Sequence, residues 1–389
     1  MAGNRAVSHQ ELSRRVYHDG IEKTCTHLRE ALEQKHIAPS DFSIRELAVT
    51  LVEDGAEWVQ SMNPLKSGTH LLEAGAVTTA NFSNIVGQIN YTAILDAFTD
   101  EEYVFSGLIP EQQTPFNGEK IAGMAKIGDE AEVVNEGDPY LLAGVSEDYI
   151  ESPETLKRGF EVDVTKEAIF FDRTGLILQR CSEVGKNLGL NKEKRAIDCL
   201  IDENTTKHRY KWRGTSYASY QTSTPWDNTT ATATLVDWTD LDEAEQTLAS
   251  ILDPFTGEPI VNTPTDLVVT RQNLWIARRI VNATEITVVT PGYGTTGNPT
   301  ETKASNPVTK VNIHSSQLLA ARMATETTWY LGTISKYAKY MYNWPLQVLQ
   351  SDMNSEVGFT RDIVARYRAD ERGAYVVVQP RVVTKCTVA

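Results

Sequence analysis

The chain has 389 residues, with 37 Lys and Arg against 52 Asp and Glu for a formal charge of −15, and 41% apolar residues, or about 47% once its 24 glycines are counted. At roughly 150 residues per domain this predicts two to three globular lobes and excludes wholesale disorder. The acidic balance excludes a dedicated nucleic-acid reader, which needs clustered Lys and Arg, and apolar runs such as YLLAGV and YVVVQP end far short of the roughly 20 residues of a membrane span.

In chain order, Leu12, Val16, Ile21, Cys25, Leu28 and Leu32 recur at three to five residues and predict a helix over 8–36. After the Pro39-Ser40-Asp41 break, Ile44, Leu47, Leu51 and Trp58 predict another over 43–62. Residues 68–99 turn to small residues and amides and read as a connector with a short helix around 89–98. Residues 100–162 are broken by Pro110, Pro115, Pro139 and Pro153 and are rich in glycine and acids. Between the breakers lie KIAGMAKIG, AEVVN and RGFEVDV, the last alternating Phe160, Val162 and Val164. They predict a long two-stranded excursion with too few large apolar residues to anchor it in its own subunit.

At Thr165, a candidate cap, the pattern switches to helix through Phe170, Thr174, Ile177, Cys181, Val184 and Leu188. Gly175 and Gly185 weaken this helix, Gly189 ends or bends it, and Asn191 caps its continuation with Ala196, Ile197, Leu200 and Ile201 on one face. Polar and aromatic residues over 205–237 read as turns and edge strands. A β/α lobe follows: Leu241, Ala244, Leu248 and Ile251 on a helical stripe, DLVVT as a buried strand, and RQNLWIARRIVNA as a helix. Beyond the loop TPGYGTTGNPTETKASNP, the segments VNIHSS, TTWYLG and LQVLQ read as strands, and the C-terminal stretch as two strands around a turn at Asp370–Gly373. The expected fold class is α+β with an elongated arm and no internal repeat.

The search for chemistry returns little. Gly292-Tyr293-Gly294-Thr295-Thr296-Gly297 spells GxGxxG, but Asn298-Pro299 follows where the mechanism needs a helix N-terminus, so an ordinary glycine-rich loop is preferred over a nucleotide site. His9, His18, His27 and His36 recur every nine residues, which alternates helix faces and prevents convergence on a metal. No HExxH or CxxC pair occurs. Cys25, Cys181, Cys199 and Cys386 are scattered, and Cys181 and Cys199 lie on apolar stripes where cysteine acts as a small core residue. Sparse cysteine and an N-terminus without a signal-like apolar run point to a reducing, cytoplasmic origin. The acids from Asp129 to Asp138 lack the glycine and terminal glutamate of a calcium loop, and read as a solvated or subunit-facing surface. Asn204, Asn228 and Asn282 begin glycosylation-type triplets without consequence in an unsecreted chain. No catalytic, cofactor-binding or metal-binding residue is expected, and weight shifts from enzyme to structural protein.

The segments GQINYTAILDA, VNEGDPYLLAGVSEDYIESPETLKRG, VTKEAIFFDRTG, LGLNKEKRAIDCLIDEN, TPGYGTTGNP and NWPLQV, in this order, give a chain that resembles the major capsid proteins of tailed bacteriophages from about Phe42 to Val383. Their fold is named for the Hong Kong phage 97 and is shared by encapsulin shells. The resemblance implies an N-terminal helical arm over 1–75 and a peripheral domain over 76–117 and 160–229 with a spine helix at 165–201. It further implies an extended loop over 118–159, an axial domain over 230–340 and return strands over 341–389. It implies hexamers and pentamers of this chain forming an icosahedral shell around double-stranded DNA, with portal, scaffolding and decoration proteins as partners and no membrane. The location implied is the virion, after assembly in the host bacterial cytoplasm. The short arm implies no proteolytic removal, with a separate scaffolding protein or none. Lys120 and Lys126 lie where some members form an intersubunit crosslink, but no partner motif is present, so none is expected. The alternatives are an encapsulin-like compartment and a nucleotide-binding enzyme using the 292–297 loop.

Overall fold

The computed structural model describes residues 9–34, 36–37, 44–52, 55–61, 76–98, 103–122, 134–136, 149–171, 176–203, 210–223, 225–230, 234–253, 257–290, 300–308, 310–351 and 363–387. The chain begins with helices α1 (His9–Asp19) and α2 (Ile21–Glu33), followed by α3 (Ile44–Leu51), α4 (Gly55–Ser61), α5 (Ala76–Phe98) and α6 (Val104–Leu108). Strands β1 (Glu111–Gln113), β2 (Lys120–Ala122), β3 (Tyr149–Glu151) and β4 (Leu156–Thr165) precede helices α7 (Lys166–Phe171) and α8 (Leu176–Ile201). Five short strands come next: β5 (Tyr210–Trp212), β6 (Thr215–Tyr217), β7 (Thr222–Ser223), β8 (Trp226–Asp227) and β9 (Thr229–Thr230). The lobe after them holds α9 (Trp238–Ser250), β10 (Asp266–Val268), α10 (Leu274–Asn282), β11 (Glu285–Thr290), β12 (Thr300–Ser305), β13 (Asn312–His314) and α11 (Gln317–Ala320). The chain closes with β14 (Trp329–Gly332), α12 (Ile334–Tyr337), β15 (Ala338–Ser351), β16 (Ile363–Val377), a 3₁₀ turn at Pro380–Val382 and β17 (Val383–Cys386). The class is α+β, as expected.

Two compact units share this chain: one of residues 1–103, 156–192 and 344–372, the other of 104–155, 193–343 and 373–389.

In the first unit, Leu12, Leu28, Leu32, Leu47 and Leu51 form a core with Val86, Ile89, Val164 and Tyr367. The helix expected over 8–36 is two helices, because Gly20 takes φ +80, a left-handed conformation glycine adopts without penalty. The helix expected over 43–62 is likewise α3 and α4. The connector holds a much longer helix than expected: α5 runs 23 residues, its apolar and small residues too evenly spread to show a helical period. Cys181 and Leu188 of α8 join Ile94 and Ala369 in a further cluster.

Thr165 ends strand β4 and directly precedes α7, and α8 passes through Gly189 and Asn191 without interruption. The glycines serve packing. A Cβ at Gly185 would strike the Ile94 carbonyl of α5, and one at Gly189 would stand 2.5 Å from the Tyr103 ring, whose hydroxyl donates to the Lys186 carbonyl at 2.7 Å.

In the second unit the main sheet has the order β13-β10-β14-β17-β9. Strand β10 runs parallel to β13 and antiparallel to β14, and β17 runs antiparallel to β14 and parallel to β9. Leu241, Ala244 and Leu248 of α9 and Leu274, Ala277 and Ile280 of α10 are buried in its core, as their spacing predicts. The expected turn at Asp370–Gly373 does not exist: β16 runs unbroken for 15 residues. Gly373 is there for close approach, since a Cβ would stand 2.5 Å from the Tyr340 hydroxyl.

Candidate assembly surface

The excursion is rooted in the second unit. Strands β2 and β3 pair antiparallel with Ile121 opposite Ile150, and Ile150 pairs in turn with Trp212 of β5. Ile150 is fully buried in the main core. Ser152 N–H donates to the Glu119 carbonyl at 2.9 Å and Glu119 N–H to the Ser152 hydroxyl at 2.8 Å. Asn117 Oδ1 accepts from the Thr155 N–H at 2.9 Å and its hydroxyl at 3.0 Å. Lys211 pairs with Glu151, and the Lys120 ammonium lies 4.1 Å from the Tyr149 ring centre. These contacts correct the expectation that the excursion lacks an anchor in its own subunit: one isoleucine and a ring of hydrogen bonds close its base. Lys126, the acids Asp129, Glu130, Glu132 and Asp138, and most of the excursion lie outside the described residues; Glu136 lies within them.

Strand β4, in the first unit, is fastened differently. It is an edge strand in the order β1-β15-β16-β4. Strand alternation puts Leu156, Phe160, Val162 and Val164 on one face. Val164 is buried and Val162 half-buried, yet Phe160 and Leu156 are 48% and 50% exposed. The apolar row therefore runs on past the core that covers its far end. Beside the backbone ladder to β16, charges join the two strands: Lys157 Nζ lies 2.6 Å from Asp370, and Arg366 grips both carboxylate oxygens of Asp163 at 2.5 and 2.8 Å. Gly159 lets the two backbones touch, since a Cβ would stand 2.5 Å from the Ala369 carbonyl. An unpaired strand edge with uncovered aromatic and aliphatic side chains is a ready template for another chain.

Buried polar side chains fix the second unit. Asn228 donates to the Ser219, Pro380 and Val383 carbonyls, each at 3.0 Å. Glu193, fully buried, accepts from the Phe105 and Ser106 N–H groups at 2.9 and 2.7 Å. Asp266 accepts from His314 Nε2 at 2.9 Å, the Thr265 hydroxyl at 2.8 Å and Ile334 N–H at 3.2 Å. Burial opposes ionisation of Asp266, but these hydrogen bonds outweigh it and hold the carboxyl below its usual range. None of these features was visible in the sequence, because each of the three side chains needs at least one partner 48 or more residues away.

The other candidates take structural places. Cys181, Cys199 and Cys386 are buried and free, with Cys25 half-buried; burial pushes the Cys181 thiol up to about 11. His18, His27 and His36 are exposed on the surface, and nothing is described of the His9 side chain. No group of three or more His, Cys, Asp or Glu among the described residues could hold a metal ion. The 292–297 glycines lie outside the described residues, but β11 before them and β12 after them pair as an antiparallel hairpin. The chain thus continues as a strand where a pyrophosphate site needs a helix. No helix among the described residues is long and apolar enough to cross a membrane.

Several solved structures are similar at low identity: a Mycobacterium phage Adephagia structure at 15% identity and TM-score 0.43, over 75% of this chain and 92% of that one; Gordonia phage Cozz at 12% and 0.42, over 74% and 87%; and a virus-like particle from Pyrococcus furiosus at 10% and 0.40, over 76% and 96%. No curated protein matches the sequence. The family model described as phage capsid protein matches residues 150–386, which take in the root strand β3, the edge strand β4, helix α8 and the whole main sheet. With well over half of its length in that match, the chain belongs to the phage capsid protein family and is a major capsid protein that forms the shell of a virion.

Proposed function

We propose that this shell is built as in tailed phages of the Hong Kong 97 type: hexamers and pentamers of the chain close into an icosahedral container for double-stranded DNA, assembled in the bacterial cytoplasm. The protein is structural, and its work is done by surfaces. The observation that carries this reading is the uncovered row Leu156 and Phe160 on the edge strand β4, reached only a few residues after the anchored base of the excursion. The division into arm, peripheral domain, extended loop over 118–159 and axial domain is part of the same proposal. Portal and scaffolding proteins are the proposed partners. Packaged DNA is held without sequence preference, consistent with a subunit charge of −15 that avoids tight phosphate binding.

The test is expression of the chain with its scaffold, followed by negative-stain microscopy and nuclease treatment. Closed particles of uniform size without a protein cargo are expected. Particles holding a protein cargo instead would favour a compartment, and a subunit that stays monomeric at micromolar concentration would overturn the reading. Replacing 123–148 with a short Gly/Ser linker, which spares Ile121 and Ile150, should leave a folded subunit that forms no particles.

A further inference from the structure

Charge is sharply segregated within the second unit. From residue 214 to 270 the chain has no lysine or arginine but nine acids; from 271 to 284 it has Arg271, Arg278 and Arg279 and no acid. The acidic stretch contains α9 and the basic stretch α10. Helix α9 packs on β17, β9 and β14, and α10 on β13, at opposite ends of the five-stranded order β13-β10-β14-β17-β9. With strands about 4.8 Å apart, the outer two stand roughly 19 Å from each other.

Among the described residues neither outward face has an ion pair of its own, although Gln246 Nε2 donates to Asp242 at 2.8 Å. On α10, Trp275, Arg278 and Arg279 are exposed, as is Arg271 in the turn before it, Trp275 by 68%, with the Arg278 guanidinium 5.4 Å from its ring centre. None of the three arginines has an ion pair among the described residues. On α9, Asp242 and Glu243 are exposed and Glu245 half-exposed, and no cation pairs with them among the described residues. Partial burial and the neighbouring Asp242 charge raise the Glu245 carboxyl above its ordinary value, as unrelieved crowding of acids would. Val236, 57% exposed, flanks the start of α9, so each face sets an apolar side chain among charges of one sign. An exposed Trp with Arg neighbours is the composition of a protein–protein hot spot.

We propose that the Trp275–Arg278–Arg279 face of α10 docks on the Asp242–Glu243–Glu245 face of α9 in a second copy of this chain, joining subunits head to tail within a ring. Two complementary surfaces at opposite ends of one sheet make a heterologous contact, and such contacts close into rings when the rotation permits. Charge complementarity sets the partner and the register. The inference rests on the shell-building reading and adds the surfaces that carry it.

The test reverses each face. Arg278→Glu with Arg279→Glu, and separately Asp242→Lys with Glu243→Lys, should each cut the assembled fraction at least tenfold in light scattering while circular dichroism stays that of the wild type. The two variants mixed in equal amounts should recover six-membered rings, in which the two kinds of subunit can alternate, but not five-membered ones, where one like-charged contact must remain. The chain carrying all four substitutions should also assemble, which keeps the test decisive if one single-face variant folds poorly. Wild-type-like assembly of both single-face variants would overturn the proposal and leave the shell reading intact, whereas failure of the wild-type chain to assemble would overturn the shell reading itself. Loss of DNA retention with normal assembly in the α10 variant would assign that face to nucleic acid and also overturn it.

Discussion

The excursion root and strand β4 are both extended segments, and the chain joins β3 to β4 through only four residues, yet the Ile150 end is covered by a core while the Leu156–Phe160 end of β4 is not. Ile150 is held by burial, within a core that includes Tyr210 and Trp226. Beside the backbone ladder, strand β4 is joined to β16 by Lys157–Asp370 and Arg366–Asp163 while its own Leu156 and Phe160 face solvent. Burial of apolar surface is insensitive to salt, whereas partly exposed ion pairs are weak and screened. A protein that must place one segment permanently and keep another available for a neighbour has both fastenings in adjacent stretches of sequence.

The largest effects should come from the root. Ile150→Asp puts an unpaired charge in the core and should cost about 3–5 kcal/mol or more, enough to abolish soluble expression; Ile150→Ala should cost about 2–5 kcal/mol in chemical denaturation. Phe160→Asp should change subunit stability by no more than about 0.5 kcal/mol but abolish particles. If Phe160→Asp destabilised the isolated subunit as Ile150→Asp does, the contrast between root and edge would be lost.

An intermediate effect is expected at Gly159. Alanine there places a Cβ against the Ala369 carbonyl and Asp370 backbone, neither of which can move without shifting the strand, so about 1–3 kcal/mol should be lost. At Gly107, where an added Cβ meets nothing within 4 Å, alanine should be neutral or mildly stabilising by denaturation, and equal losses at both sites would refute the close approach of β4 to β16.

A subtler change should follow Asp370→Asn. Val162 of β4 packs on the cluster containing Cys181, so thiol reactivity reports on the strand. In a Cys25→Ser background, Cys181 should resist maleimide in the wild type, and Asp370→Asn should speed its labelling several-fold, as should raised salt in the wild type. Cys199, buried in the other unit, should stay protected throughout. Equal labelling of both cysteines would point to global unfolding instead of release of the edge.

Local pattern in the sequence reached as far as local physics does. The stripes Leu241, Ala244, Leu248 and Leu12, Leu28, Leu32 are buried as spacing requires, because an amphipathic helix carries its address in its own residues. RADERG spells a turn but lies within strand β16, whose Arg366 and Asp370 pair with Asp163 and Lys157 about 200 residues earlier, and whose Gly373 serves the Tyr340 ring instead of a turn. The edge row was half legible: alternation of Phe160, Val162 and Val164 marked a strand, but nothing in it says where cover stops.

The smallest effect separates two kinds of carboxylate. Asp370 relies on cations, so salt weakens it; Asp266 relies on hydrogen bonds from His314, Thr265 and Ile334 inside the main sheet, so acid is the way to reach it. Its pKa in the folded chain lies below the ordinary 3.8. The folded state therefore binds the proton less readily than the unfolded one, and the stability Asp266 supplies is present above that ordinary value and lost as pH falls through the lowered one. The difference in unfolding midpoint between wild type and Asp266→Asn should not shrink from pH 7 to pH 5, and should shrink only below about pH 4. A difference that shrank already between pH 7 and pH 5 would mean that another titrating group, and not this carboxylate, ties β10 to β13 and to the start of α12.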